Sequence, residues 1–360
     1  MSLSIAIVGL PNVGKSTLFN ALTGNAILAA NYPFATIEPN TGIVSVPDER
    51  LDGLQKMYSA DKKINAAVTF VDIAGLVAGA STGEGLGNKF LANIRETDAI
   101  VHVVRAFDDG DVTHVSESVD PKRDIEVINT ELILADLQSI DNRLPKLAKE
   151  AKTNPSARAQ IDYLESLKPE LASGTPLSAI PSVSFDLIRD LHLLTAKPVI
   201  YLFNVDEATL TDAGMQAALS ALISPAQSIF VNAKLEEELK DLDAAEAAEL
   251  LESYGVTESG LSQLARAAYQ TLGLQSYLTA GPKEVRAWTI HEGDTAPQAA
   301  GVIHGDFERG FIAASIVDYD DLIAAGSETA AKQAGKVRTE GRDYVMRPGD
   351  IVEFRFNVSK

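Results

Sequence analysis

The 360-residue chain has no cysteine. That absence excludes disulfides, thiolate metal sites and cysteine nucleophiles together, and it fits a reducing compartment. Long hydrophobic runs are missing as well: no stretch of 18 or more apolar residues is present, so no segment has the length of a membrane-spanning helix. The opening MSLSIAIVGLPN lacks the basic region and small-residue cleavage site of a signal peptide and reads as a first strand. A cytoplasmic location with no membrane partner is therefore expected. Positive charge is also scarce. Lys and Arg number 31 against 50 Asp and Glu, for a net charge of -19, which argues against DNA and against general nucleic-acid affinity. The deficit is uneven, because residues from 279 onward hold 10 basic and 13 acidic side chains. The tail can carry a basic face, whereas the bulk is acidic.

What is present is organised by apolar periodicity. SIAIVG, GIVSV, VTFVDI, AIVHVV, PVIYLF and SIFVNA read as strands, and 15–23, 88–96 and 211–222 read as helices between them. Such alternation predicts an α/β fold with a mainly parallel sheet, helices on both faces and functional loops at the carboxyl ends of the strands. The rhythm breaks from about 125 to 196, where apolar residues recur every three or four positions in two segments, predicting a helical hairpin. Pro145 should kink or shorten its first helix, and Pro169 should mark the end of the second. The acidic run LEEELKDLDAAEAAELLESYG reads as one solvated helix ended by Gly255. Beyond residue 278, RAWTI, AGVIHG, FIAASIV, DYVM and IVEFRFNV read as strands of a small mixed sheet, with a helix near 319–325. Val285 and Trp288 are read there as core rather than as part of a contact surface. The expected division is 1–124 and 198–278 for a nucleotide-binding domain in two parts, 125–197 for the inserted hairpin and 279–360 for the tail.

GLPNVGKST matches G-x-x-x-x-G-K-[ST], after a strand and opening a helix. Gly9 and Gly14 let the backbone turn its N–H groups toward phosphate oxygens across Asn12, Val13, Gly14, Lys15, Ser16 and Thr17. Lys15 supplies a cation to the β- and γ-phosphates, and the Ser16 hydroxyl is a Mg²⁺ ligand. A second Mg²⁺-side residue is expected at a strand end, and VTFVDIAGLV supplies Asp72, directly or through water, followed by Gly75 with an N–H for the γ-phosphate. A lone Asp there is commonly a cap, but the P-loop upstream and the D-x-x-G spacing favour the metal. Between them, NYPFATIEPNTG has the composition of a closing loop, with Thr36 as the hydroxyl reaching Mg²⁺ and Thr41 as its competitor.

Together with DIAGLVAGASTGEGLGNKFLANIRETDAI and the β-rich tail, these stretches resemble the YchF or Obg-like ATPase family of P-loop proteins over essentially the whole chain. The resemblance implies a G domain interrupted by a coiled-coil hairpin, then a TGS domain of β-grasp type. It further implies ribosome association, a role in translation or stress response, and ATP in preference to GTP. A monomer is expected.

The base-reading segment is Asn204-Val205-Asp206-Glu207 where guanine readers carry N-K-x-D. Glu207 is one methylene too long for the guanine edge, and Val205 replaces the lysine whose stem covers the base. Guanine selectivity should be lost, while the Asn204 amide and the Val205 backbone tolerate adenine. VNAKLE places Asn232, Ala233 and Lys234 around the base, with Lys234 equally readable as a surface residue. Leu76 stands where Ras-like GTPases hold the water-orienting glutamine. Three substitutes are on offer: K⁺ held by Asn12, whose alternative reading is a loop-stabilising side chain; His114 as a water-positioning imidazole, against an inert loop histidine; or a partner acting in trans. His102 reads as core or strand edge. Two other functions compete with the ATPase: a GTPase of the Obg type, and a ribosome- or RNA-binding module in which turnover is incidental.

Overall fold

The computed structural model describes residues 3–24, 40–73, 86–108, 118–181 and 183–357. Thr36, Gly75, Leu76 and His114 lie outside them. The described strands are β1 (Ser4–Val8), β2 (Thr41–Val46), β3 (Lys62–Ile64), β4 (Ala66–Asp72), β5 (Ala99–Ala106), β6 (Val199–Val205), β7 (Gln227–Val231), β8 (Leu274–Ala280), β9 (Glu284–His291), β10 (Phe311–Asp318), β11 (Arg338–Glu340) and β12 (Asp350–Phe356). They form two sheets, in the orders β2-β4-β1-β5-β6-β7 and β11-β10-β12-β8-β9-β3.

Residues pack into two compact units, whose boundaries fall inside β2, inside β4 and between Leu264 and Ala265. Residues 44–68, expected to belong with the nucleotide-binding part, are grouped with the tail.

In the first unit β1 pairs in parallel with β4 and β5, β5 with β6, and β6 with β7. All six strands expected of this sheet are present. β5 is buried over seven of its eight residues, which is why AIVHVV reads as an uninterrupted apolar run rather than an alternating one. His102, at its centre, is 2% exposed and tilted against Tyr201, and burial pulls its imidazole down to about 3. It is a neutral core residue. Because the strands are parallel, Val8, Asp72, Ala106, Val205 and Val231 end on the same edge, and the loops that follow them open together.

The hairpin consists of helices Pro121–Glu150 and Pro155–Ala172, capped by Asp120 and Asn154. Ile140, Leu147, Leu164, Leu167 and Leu171 form its buried seam. The first helix runs through Pro145 to Glu150, contrary to an early end. Pro145 forfeits one helical hydrogen bond, but burying Leu144 and Leu147 on either side holds the turn in place. Asp136, fully buried, ties this hairpin to the returning chain by accepting from the Leu194 and Thr195 N–H groups and the Thr195 hydroxyl. Burial pushes its carboxyl upward against those three donors.

The expected single acidic helix is two, Ala233–Leu239 and Ala244–Ser253, the second started by an Asp243–Glu246 capping box. Nor is it wholly solvated. Glu236 is 2% exposed and accepts from the Gly260 N–H at 2.6 Å, capping the helix Gly260–Thr271. Burial raises its pKa to about 7, with Glu258 adding to the rise and the backbone donors opposing it. A carboxyl with a folded pKa above its unfolded value stabilises the fold fully below the unfolded value, and that contribution is lost as pH climbs toward 7. Glu236→Gln keeps the acceptor without the charge, so at pH 8 it should be roughly 1–3 kcal/mol more stable than wild type, converging below pH 4.5. Urea melts at both pH values check this; equal gaps at the two would refute it.

In the second unit β10 and β12 pair antiparallel, as do β8 and β9. Its core joins Tyr277, Ile290, Phe311, Ile316 and Val352 to a helix, Ala296–Ile303, laid on the sheet. That helix takes up the AGVI of AGVIHG, read from sequence as a strand, and His304 and Gly305 lead into the next helix, Gly305–Arg309. The signal that decides it lies upstream: Thr295 and Gln298 form a capping box, and Ala296, Ala299 and Ala300 share one fully buried face. DYVM contributes only an isolated bridge, Val345 to Thr295. Val285 is fully buried and Trp288 packs partly against this core.

Candidate functional site

β1 ends at Val8 and the helix Lys15–Gly24 begins seven residues later, its first closing bond running from the Leu18 N–H to the Gly14 carbonyl. Two positions in the intervening loop admit only glycine. A Cβ on Gly9 would sit 2.8 Å from the Val103 carbonyl oxygen of β5, and one on Gly14, at φ +89°, would sit 2.4 Å from the Asn204 amide nitrogen. Asn12 takes φ 62°, a left-handed conformation that asparagine tolerates better than most side chains.

Behind that loop Asn204, 3% exposed, joins three strand ends. Its Nδ2 donates to the Val13 carbonyl at 3.0 Å and its Oδ1 accepts from the Ala233 N–H at 3.1 Å. Asn232 repeats the device one strand along: it donates to the Val205 carbonyl at 2.9 Å, and its Oδ1 accepts from Leu235, capping the helix Ala233–Leu239. These amides are engaged with backbone, so the two asparagines brace the base side while also lining its cavity. Val205 points into the core with Val104, Phe203 and Ile223, and its carbonyl is taken by Asn232. Asp206 caps the helix Glu207–Thr211 by accepting from the Thr209 N–H and hydroxyl. Glu207 beside it is exposed and shares a hydrogen bond with the Tyr254 side chain.

Two adjoining cavities result. The larger, about 760 Å³, is lined by Asn12, Gly14, Lys15, Ser16, Thr17 and Asp72 among others. The second, about 320 Å³, is lined by Asn204–Ala208, Asn232, Ala233 and Lys234. Phe107, Asn204, Ala233 and Lys234 border both. In size and linkage the pair suits a nucleoside triphosphate, phosphates in the first and base in the second.

Lys15 and Asp72 form an ion pair in the larger cavity, with side chains 10% and 20% exposed. Asp72 is fixed at the end of β4 by its N–H donating to the Asn40 carbonyl, while the next N–H, of Ile73, donates to Ile7. Among the described residues no cluster of three or more His, Asp or Glu could cage a metal. Ser16 and Thr17 offer hydroxyls to this cavity and Asp72 and Glu237 carboxylates, and Ser16 and Asp72 stand at the positions expected for Mg²⁺. Two hard oxygen donors beside a phosphate pocket suit Mg²⁺, which keeps most of its shell for water and phosphate oxygens.

Phe107 escaped the sequence reading. It follows β5 directly, and Arg105, 1% exposed, holds it twice: Nε donates to the Phe107 carbonyl at 3.1 Å, and the guanidinium lies 4.6 Å from the ring centre. An arginine inside an apolar strand, with an aromatic just past the functional end, was the available signal.

A parallel sheet whose first strand opens through such a loop into a helix, with an acidic strand end facing the lysine, defines a P-loop nucleoside-triphosphatase domain. A family model described as 50S ribosome-binding GTPase matches residues 4–141. Another, YchF-GTPase_C, described as a protein of unknown function (DUF933), matches 274–357. The chain is 50% identical to a ribosome-binding ATPase YchF of Bacillus subtilis and 48% identical to one of Escherichia coli O157:H7, over 99% of this chain and 100% of each relative. The chain belongs to the YchF family. Its fold matches the structure of the Schizosaccharomyces pombe YchF GTPase with a TM-score of 0.88 and 40% identity, covering 98% of both chains. A GTP binding protein of Pyrococcus horikoshii OT3 shares the fold at a TM-score of 0.60 and 20% identity.

Proposed function

We propose that this chain is a ribosome-associated P-loop ATPase that hydrolyses the β–γ bond of ATP and alters its hold on the ribosome with nucleotide state, in cytoplasmic translation or stress response. The observation that carries it is the meeting of Lys15, Ser16 and Asp72 in one cavity continuous with a base pocket. With nucleotide bound, Lys15 would exchange Asp72 for phosphate oxygens, and Ser16, Asp72 and Thr36 would hold Mg²⁺. The ion would supply charge neutralisation of the phosphates. Gly75 and His114 are assigned to the γ-phosphate and the attacking water. Asn12 is assigned to K⁺, although its left-handed backbone also answers to a loop-shaping role. The tail is read as a TGS domain, and the protein acts as a monomer.

The relatives are called ATPase in one case and GTPase in another, so the base must be argued from the pocket. Guanine needs a carboxylate bridging N1–H and the exocyclic amine. Here Asp206 is spent on a helix cap and Glu207 is longer. Adenine offers no such pair of donors, and Phe107 gives its ring a face to stack on. ATP should bind at least tenfold tighter than GTP by equilibrium titration; GTP binding tenfold tighter would replace this reading with the GTPase. Hydrolysis measured with and without K⁺ and ribosomes identifies what stands in for the glutamine absent at position 76.

A further inference from the structure

The hairpin reverses the charge of the chain at its far end. Between residues 143 and 158 there are five basic side chains and one acidic, in a protein of net charge -19. Arg143 is occupied by Glu150 at 3.0 Å and Asp190 at 3.2 Å. Arg158 lies 3.4 Å from Asp162, both well exposed. Lys146, Lys149 and Lys152 are exposed and pair with no carboxylate among the described residues. The first helix is still tied to the body at Ser139, which accepts from Arg95, so its end at Glu150 stands ~16 Å further along the axis, about twice the ~8 Å over which salt screens charge. An acidic body at that distance does not oppose an anion at the tip.

A second feature is carried by the segment that follows the second helix. Phe185 is 61% exposed. The segment carrying it is held against the second helix on both sides: the Ser184 N–H donates to the Tyr163 hydroxyl at 2.6 Å, and the Gln160 amide donates to the Leu187 carbonyl and to Asp190, each at 2.9 Å. Gln160 and Tyr163 lie in the first turns of the helix that begins at Pro155. A fixed, solvent-facing aromatic on the same hairpin as unpaired ammonium groups is the combination that grips single-stranded nucleic acid, phosphates by charge and a base by stacking.

We propose that the hairpin tip is an RNA-contact surface, in which Lys146, Lys149, Lys152 and Arg158 engage backbone phosphates of ribosomal RNA and Phe185 stacks on an unpaired base. The proposal rests on the ribosome-associated reading above and names the part of the chain that makes contact.

The test uses the full chain carrying Lys146→Gln, Lys149→Gln and Lys152→Gln together, and separately Phe185→Ala, after thermal melts show that both are folded. Binding to purified ribosomes and to protein-free ribosomal RNA is titrated from 50 to 200 mM salt. The triple variant should lose at least tenfold in affinity for both, and its log–log salt slope should fall by roughly 2–3, at ~0.7–0.9 per phosphate contact. Phe185→Ala should weaken binding about tenfold with the slope unchanged. Hydrolysis without ribosomes should be unaltered in both. Wild-type affinity and slope in the triple variant would overturn the surface while leaving ribosome association standing. So would wild-type protein that ignores protein-free RNA, or uses these lysines only on phosphatidylserine vesicles. Conversely, lysine-dependent RNA binding without ribosome binding would sink the ribosome reading and keep the surface.

Discussion

Replacing Lys15 with alanine should abolish ATP hydrolysis, lowering single-turnover rates at least 10²–10³-fold. Lys15 is nearly buried at the floor of the phosphate cavity, and its partner there is the Asp72 carboxylate. Removing the ammonium takes away the cation placed to meet the β- and γ-phosphates, where charge must develop. One preorganised charge-stabilising group commonly contributes about 3–4 kcal/mol to such a step. ATP affinity should fall as well, whereas the fold should hold, because the framework around the loop runs through Gly9, Gly14 and Asn204. Rapid-quench hydrolysis with saturating enzyme checks this. A rate within tenfold of wild type would show that Lys15 does not meet the transferred phosphate.

Asn204→Ala should raise the dissociation constants for ATP and GTP together, about 30–100-fold, with a loss of roughly 2–4 kcal/mol in stability. The side chain satisfies the Val13 carbonyl and the Ala233 N–H, and each buried group left unpaired costs about 1–3 kcal/mol. These bonds tie the phosphate loop to the base loop, so their loss loosens the spacing between the two cavities for either nucleotide. Titration of both nucleotides, alongside a denaturant melt, distinguishes a tie from a reader. Loss confined to ATP would return the Asn204 amide to direct recognition of adenine.

The phosphate side was legible because its physics is local. A strand, two glycines at fixed spacing, a lysine and a hydroxyl lie within a dozen residues, and each requirement is met by its neighbours in the chain. The parallel sheet was legible for a related reason: strands buried on both faces, such as β5, are continuous apolar runs. Failures came where distant residues decided the outcome. AGVIHG has strand-like content, but Ala300 packs with Ala296 and Ala299 upstream of it as one helix once the sheet is present to receive them. Glu236 sits in a run that looks solvated, yet it is drawn inside by the open N–H groups of a helix 24 residues later.

By itself, then, the sequence determined the class of fold, the phosphate-binding loop, the acidic strand end and the departure from guanine recognition at Glu207, since each depends on residue type and short spacing. Only the tertiary structure decided what the base-side residues do. Asn204 and Asn232 tie the base-side loops together while lining the pocket, Val205 turned into the core, and Phe107 was brought to the pocket by a buried arginine. The reason is that a hydrogen-bonding side chain at the end of a strand has many possible partners, and which one it takes is set by the ends of neighbouring strands. Parallel pairing places those ends within reach of one another, although β1 and β6 lie nearly two hundred residues apart, Asn204 reaching Val13 across 191.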